Sequence, residues 1–169
     1  MADQAEFRVA NTTDAELLLD FMQEYYAFDG HGYDRDKARV ALIPLLQSQS
    51  LGCVWIILDG ESPVGYAVIC FGYSLEWLGR DAFIDEIYLR ENYRGRGWGR
   101  QAMGFLEDAA REFGVRALHL GVVAGNPALH LYERVGFRKH ESTFLSKWIA
   151  RSLSKPPAHE PGNRNPRPR

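Results

Sequence analysis

Apolar residues recur along this chain with two different periods, and the changes of period divide it into elements. Glu6 to Ala10 reads as a short strand. Asn11-Thr12-Thr13-Asp14 then offers N-cap side chains, and Leu17, Leu18, Phe21, Met22 and Tyr25 follow at helical spacing. Asp29-Gly30-His31-Gly32 breaks that run. A second helix is expected from Asp34 to Gln49, with Ala38, Ala41, Leu42, Leu45 and Leu46 as its apolar stripe and Pro44 as an irregularity inside it. The stretch CVWIILDGESPVGYAVICFGY changes character: two apolar strands are joined through Asp59-Gly60, the signature of a hairpin. Ala82 to Arg90 is a third strand of this kind. Trp98 to Phe113 returns to a helical period, with Ala102, Phe105, Leu106, Ala109 and Phe113 on one face and Gly114 as its stop. Val115 to Val123 reads as a strand, Asn126 to Val135 as a short helix, and Phe137 to Ile149 as a last strand or hairpin.

The order β-α-α-β-β-β-α-β-α-β predicts an α/β fold: a mixed, largely antiparallel central sheet flanked by helices, with one parallel β-α-β crossover in its second half. A chain of 169 residues suffices for one domain with a full core, expected over residues 1–150. At 46% hydrophobic and 25% charged residues the composition is that of an ordinary globular protein. The net charge of −2 argues against a nucleic-acid binder. That average hides an asymmetry: five basic residues against Glu160 from Arg151 onward give a local +4, which leaves −6 for the rest. Residues 151–169 are proline-rich and basic, so they are expected to form a tail without a fold, its charges aiding solubility rather than RNA or membrane contact. Cys53 and Cys70 lie in apolar strands with no close spacing, which makes neither a disulfide framework nor a metal site. The opening MADQAEFRVA lacks the pattern of a secretory signal, and the apolar runs are too short to span a bilayer. The expectation is a cytoplasmic protein.

One stretch resists the helical reading on either side of it. YRGRGWGR, Tyr93 to Arg100, places three glycines and three arginines directly before an amphipathic helix. Glycines between a strand and a helix let backbone N–H groups converge, and the first amides of the helix lie unpaired at the positive end of its dipole. Arg94, Arg96 and Arg100 add positive charge suited to a diphosphate. The competing reading is a solvated basic turn. A Walker loop is excluded, because Gly99-Arg100-Gln101 stands where Gly-Lys-Ser/Thr belongs. A dinucleotide-binding loop is excluded as well: Arg100 occupies the place of the third glycine, and no acid closes the next strand.

The pattern that fits is R-x-x-G-x-G, matched by Arg94, Gly97 and Gly99. Together with the preceding strand FIDEIYL and the later block NPALHLYERVGF, Asn126 to Phe137, it makes this chain resemble the GNAT superfamily of N-acyltransferases from Glu6 to about Trp148. The resemblance implies acetyl-coenzyme A as donor, its pyrophosphate on the amides of Gly95, Arg96, Gly97, Trp98, Gly99 and Arg100. It implies that Ile87 and Leu89 bond the pantetheine through their backbone, and that the Leu89 amide polarises the thioester carbonyl. Asn126 would help to hold the cofactor arm, although it lies six residues before Tyr132 where many members have seven. Tyr132 stands where the family's general acid stands.

Acetyl transfer to an amine also calls for a base. Asp85 and Glu86 are the candidates, set in the middle of an otherwise apolar strand. Strand neighbours point to opposite faces, so at most one of the two is expected to face the acceptor. His119 is read as structural, since Leu120-Gly121-Val122 offers no acid beside it. Tyr25, Tyr26, Asp29, His31, Tyr33 and Asp34 cluster around the first helix break, with Glu76 and Trp77 in another loop. Tyr26, Asp29 and Tyr33 are the candidate acceptor contacts, suited to a cationic amine. The strand-and-loop segment also looks like diamine acetyltransferases. The function implied is transfer of an acetyl group to a primary amine of a small molecule or peptide in a ternary complex. The alternatives are an N-terminal or lysine acetyltransferase, or an acyl-CoA-binding module without catalysis. Dimers are common in the family, so the resemblance also admits a homodimer.

Overall fold

The computed structural model describes residues 4–123 and 125–149. Five strands form one sheet in the order β1-β2-β3-β4-β5. They are β1 (Glu6–Val9), β2 (Gly52–Asp59), β3 (Ser62–Ser74), β4 (Gly79–Leu89) and β5 (Ala117–Leu120). The first four pair antiparallel in chain order, and β5 joins β4 in parallel after a crossover. The helices are α1 (Ala15–Asp29), α2 (Arg35–Gln47), α3 (Trp98–Glu112) and α4 (Leu129–Arg134). The mixed, largely antiparallel sheet flanked by helices is therefore as the sequence predicts.

Local chemistry explains the element ends. Asn11 and Asp14 form a reciprocal capping box over the turn Thr12–Asp14 that leads into α1. Gly30 closes α1 in the left-handed conformation, and Asp34 caps α2 through the Lys37 N–H. Pro44 sits in the last turn of α2, which the helix absorbs without ending there.

Alternation along the inner strands feeds two cores, one on each side of the sheet. Val54, Ile56, Tyr66, Val68 and Tyr88 meet Leu18, Leu19 and Phe21 of α1 and Leu42 of α2. Cys53, Trp55, Ala67, Ile69 and Ile84 meet Met103, Leu106 and Ala109 of α3 on the other face. Each fully buried aliphatic or aromatic side chain of this kind contributes about 1.5–3 kcal/mol. Trp98 and Ala102 fill a third cluster with Ile57, Val64 and Leu89.

Two features position the site. β5 pairs only with Asp81 to Ile84, so β4 continues from Asp85 to Leu89 with no strand on that edge among the described residues. The ladder between β3 and β4 also slips by one residue: Val68 faces Glu86 while Ile69 faces Ile84. Asp85 is the extra residue of a β-bulge.

Three expectations need correction. Segment 138–149 carries no strand, although Phe137–Ile149 was expected to be one. Phe144, Leu145 and Ile149 stand more than 80% exposed, so the segment buries none of these side chains against the sheet. β5 itself is shorter than Val115–Val123, and α4 begins at Leu129 rather than Asn126. The expected tail, 151–169, lies outside the described residues. No helix among the described residues is long and apolar enough to cross a membrane.

Candidate active site

The bulge overturns the expectation that Asp85 and Glu86 point to opposite faces. An extra residue resets the two-residue alternation, and both acids line the same cavity between the sheet and the helices α1 and α2. Glu86 is half-buried and held from two sides. Tyr66 of β3 donates its hydroxyl proton to Oε2 at 2.7 Å, and Tyr26 of α1 donates to Oε1 at 3.1 Å. Burial pushes the Glu86 carboxyl above the usual range; the Tyr66 bond pulls it back, Asp85 raises it again, and the Tyr26 bond lowers it. Asp85 opens to solvent on one side, yet its surroundings also raise its carboxyl through burial. Two adjacent acids, both shifted above the ordinary carboxylate range, can hold a proton more readily than exposed carboxylates.

Tyr26 is fixed by an aromatic cluster. Its ring lies 5.6 Å from Tyr25, 5.7 Å from Tyr33 and 6.4 Å from His31. Tyr33 donates to the carbonyl of Leu19 at 2.8 Å, so it ties the loop after α1 back onto the helix. Asp29 ends α1 and lies 3.1 Å from His31 Nδ1. Of the three predicted acceptor contacts, only Tyr26 lines the cavity with the acids.

Tyr132 projects from α4, half-buried, with its ring 6.2 Å from that of Phe137. It lines a larger hollow of about 960 Å³ along β5, together with Leu120, Leu129 and His119. Burial holds its hydroxyl above the ordinary tyrosine value, so it stays protonated at neutral pH. Tyr25 connects the two halves. Burial lifts its hydroxyl to about 12, with the charges of Asp29, Glu86, Tyr132 and Asp85 all acting on it. His119 belongs to a separate group: its Nε2 is 3.4 Å from Asp81 Oδ2, and its ring is 5.2 Å from Trp77.

The arginine–glycine loop turns where glycine is required. Gly95 and Gly97 have φ of 72° and 89°, and neither would meet a neighbour within 4 Å if it carried a Cβ, so the loop is open on that side. Gly97 caps α3 without a side-chain bond, and its carbonyl takes the N–H of Arg100 and Gln101. The first amides of α3 therefore lie at an uncapped, positive helix end. Arg96 and Arg100 are exposed beside it. Arg94 is engaged elsewhere: its Nε donates to the Leu89 carbonyl at 2.7 Å, and its guanidinium lies 3.9 Å from the Phe28 ring. Here it braces the loop against α1. Trp98 is fully buried in the core, so its side chain anchors the helix start and leaves any ligand contact to its backbone. Gly99 lets Leu131 of α4 approach closely; a Cβ there would meet its Cδ2 at 3.2 Å. Asn126 accepts the N–H of Ala128 at 2.9 Å and shapes the entry to α4.

The candidate site thus comprises the open helix end, the edge of β4 at Leu89 and Ile87, the two acids in one cavity and Tyr132 in another. A free strand edge can bond an extended ligand through its backbone, and a glycine-rich loop at a helix start can receive a diphosphate. The residues fit the coenzyme that the sequence implies. Tyr66 was missed by sequence reading, because a tyrosine in VGYAVICF looks like any other strand residue. Among the described residues no group of three His, Cys, Asp or Glu side chains could hold a metal ion.

Comparison with known proteins agrees with this geometry. The model of the Acetyltransferase (GNAT) family matches residues 15–137. An uncharacterized N-acetyltransferase YycN of Bacillus subtilis (strain 168) is 33% identical over 135 residues, 79% of this chain and 76% of that protein. A thialysine N-epsilon-acetyltransferase of Bos taurus is 35% identical over 79 residues, 46% of each chain. Among solved structures, integron cassette protein HFX_CASS3 from the mobile metagenome of Cole Harbour Salt Marsh superposes with a TM-score of 0.77 at 32% identity, covering 85% of this chain and 90% of that one.

Proposed function

Because the chain belongs to the GNAT acetyltransferase family, we propose that it acetylates a primary amine of a small molecule, with acetyl-coenzyme A as donor and direct attack in a ternary complex. The observation that carries this reading is the bulge, which sets Asp85 and Glu86 side by side at the unpaired edge of β4. The coenzyme, when bound, supplies an acetyl group activated as a thioester. Gly95 to Arg100 hold its diphosphate, and the backbone of Ile87 and Leu89 holds its extended arm. The Leu89 amide is a fixed donor for the thioester carbonyl oxygen.

An amine arrives at neutral pH as an ammonium ion and must lose a proton before it can attack. Glu86 takes that proton, kept in place by Tyr66 and Tyr26, while the Asp85 charge raises its affinity for it. The two carboxyls titrate as a coupled pair. Tyr132, protonated at working pH, gives its proton to the departing thiolate. The thialysine N-epsilon-acetyltransferase similarity, which spans about half of this chain, agrees with an amine acceptor.

The test is release of free thiol from acetyl-coenzyme A across small amines, amino sugars and peptides, with Tyr132→Phe beside the wild type. The expected loss in kcat for Tyr132→Phe is about 10²- to 10⁴-fold, with coenzyme A binding retained. Tight coenzyme binding with no turnover on any amine would replace this reading by a non-catalytic acyl-CoA-binding module.

A further inference from the structure

The cavity that holds the two acids has a consistent chemical character. It has a volume of about 300 Å³, opens to solvent on one side, and is lined by Met22 of α1, by Ala41, Leu42 and Leu45 of α2, and by Val54 and Val68 of the sheet. All its charge lies at one place. Asp85 and Glu86 are the only charged residues in the lining, adjacent in sequence, with the hydroxyls of Tyr26 and Tyr66 on Glu86. The slot exists because α2 seats loosely: only Leu42 of that helix is buried, and Leu45 and Leu46 are half-covered. The arginines on α2 face away from it, with Arg35 and Arg39 paired to Glu16.

From this asymmetry we infer that the acceptor is a primary amine on an uncharged, apolar stem, such as an alkyl or aryl-alkyl group, and not a diamine, amino sugar or peptide. This rests on the proposed acetyl transfer. The reacting nitrogen sits at the carboxylates and the stem enters the slot between α1, α2 and the sheet. The volume equals roughly ten water molecules at about 30 Å³ each, which matches a stem of about that many non-hydrogen atoms. A second ammonium seated in the slot would lie against leucine, methionine and valine, away from the two carboxylates that are its only charged lining. Sugar hydroxyls and peptide amides face the same penalty. The slot thus selects by exclusion of polarity.

Pentylamine and diaminopentane test this directly, since they match in length and differ in the far charge. With wild-type protein, pentylamine is expected to have a kcat/KM about tenfold or more above that of diaminopentane. Titration calorimetry of both amines into the coenzyme-A-loaded protein reads the slot without chemistry and should show the same order. Ala41→Glu places a carboxylate in the slot from an exposed helix position and should reverse the preference, while Ala41→Gln controls for bulk. Melting temperatures verify that both variants fold. Equal or stronger binding of diaminopentane by the wild type overturns the inference, as does binding of neither amine or a preference that Ala41→Glu leaves unchanged. Selective pentylamine binding without turnover of any amine would leave the slot standing and end the transferase reading instead.

Discussion

Replacing Tyr66 by phenylalanine isolates what holds the base. The ring is fully buried between Phe21 and Tyr88, so its packing survives and only the hydroxyl is lost. That hydroxyl donates to Glu86 at 2.7 Å, the shorter of the two tyrosine bonds. The bond stabilises the ionised carboxylate more than the acid, so its loss must raise the Glu86 pKa. A hydrogen bond to a charged group contributes about 1.5–3 kcal/mol. At about 1.4 kcal/mol per pKa unit, the acid limb of the kcat/KM profile should move upward by roughly one to two units. Above the limb the base is ionised in both proteins, so rates there should converge. Below it the variant should be slower by about ten- to a hundredfold. Tyr26→Phe should shift the limb in the same direction by less, in keeping with its 3.1 Å bond. The assay is initial-rate thiol release with a saturating donor, at constant ionic strength and varied pH. An acid limb that stays in place when both tyrosines are replaced, in protein of unchanged fold, would refute Glu86 as the base.

Asp85→Asn should act with the opposite sign. Removing the neighbouring charge lowers the Glu86 pKa, so the acid limb should move downward in the same assay. The same variant should be more heat-stable at neutral pH. Both carboxyls have folded pKa values above their unfolded ones, so stability falls as pH rises from the unfolded value through the folded value and stays reduced above it. A melting temperature that does not rise at pH 7, or rises equally at pH 3, would count against this sign. Gly97→Ala should weaken coenzyme A binding by roughly tenfold, since a φ of 89° costs a residue with a Cβ about 1–3 kcal/mol. Calorimetry with coenzyme A measures it directly, and unchanged affinity would mean that the loop does not bind in this conformation.

Most of the fold was legible because its cores are written in simple periods. The apolar stripes of α1 and α3 and the apolar runs of β2, β3 and β4 name their own faces, and Asp59-Gly60, Gly30 and Gly114 mark real ends. The failure after Phe137 is instructive in the same terms. Apolar residues such as Phe144, Leu145 and Ile149 satisfy a strand pattern, but a strand needs a ladder partner, and among the described residues this segment pairs with none. Periodicity reports what a segment can bury and is silent on whether an edge is available to it.

The site divides along a similar line. Gly95, Gly97, Ile87, Leu89 and Tyr132 were named through the resemblance of the loop, the strand and the later block to a known family, and the positive φ of the two glycines agrees with a loop that turns there. The arrangement of the acids could not be read this way. Whether Asp85 and Glu86 share a face depends on a one-residue slip against β3, and that slip is a property of the pairing. Without the bulge, one carboxylate would be turned into the apolar core formed with α3, at a cost of several kcal/mol after relaxation. With it, both reach a cavity where Tyr26 and Tyr66 can bond one and water can reach the other. The same geometry that avoids a buried unpaired charge thus creates a coupled pair of acids beside an open strand edge. Folding stability and proton transfer therefore pull on this slip in opposite ways: removing an acid should stabilise the protein and remove part of its chemistry. A variant that straightens β4 by deleting Asp85 should leave Glu86 opposite Val68 on the α1 face and Ile84 opposite Ile69 on the α3 face, so it should keep its base and show the same downward shift of the acid limb as Asp85→Asn.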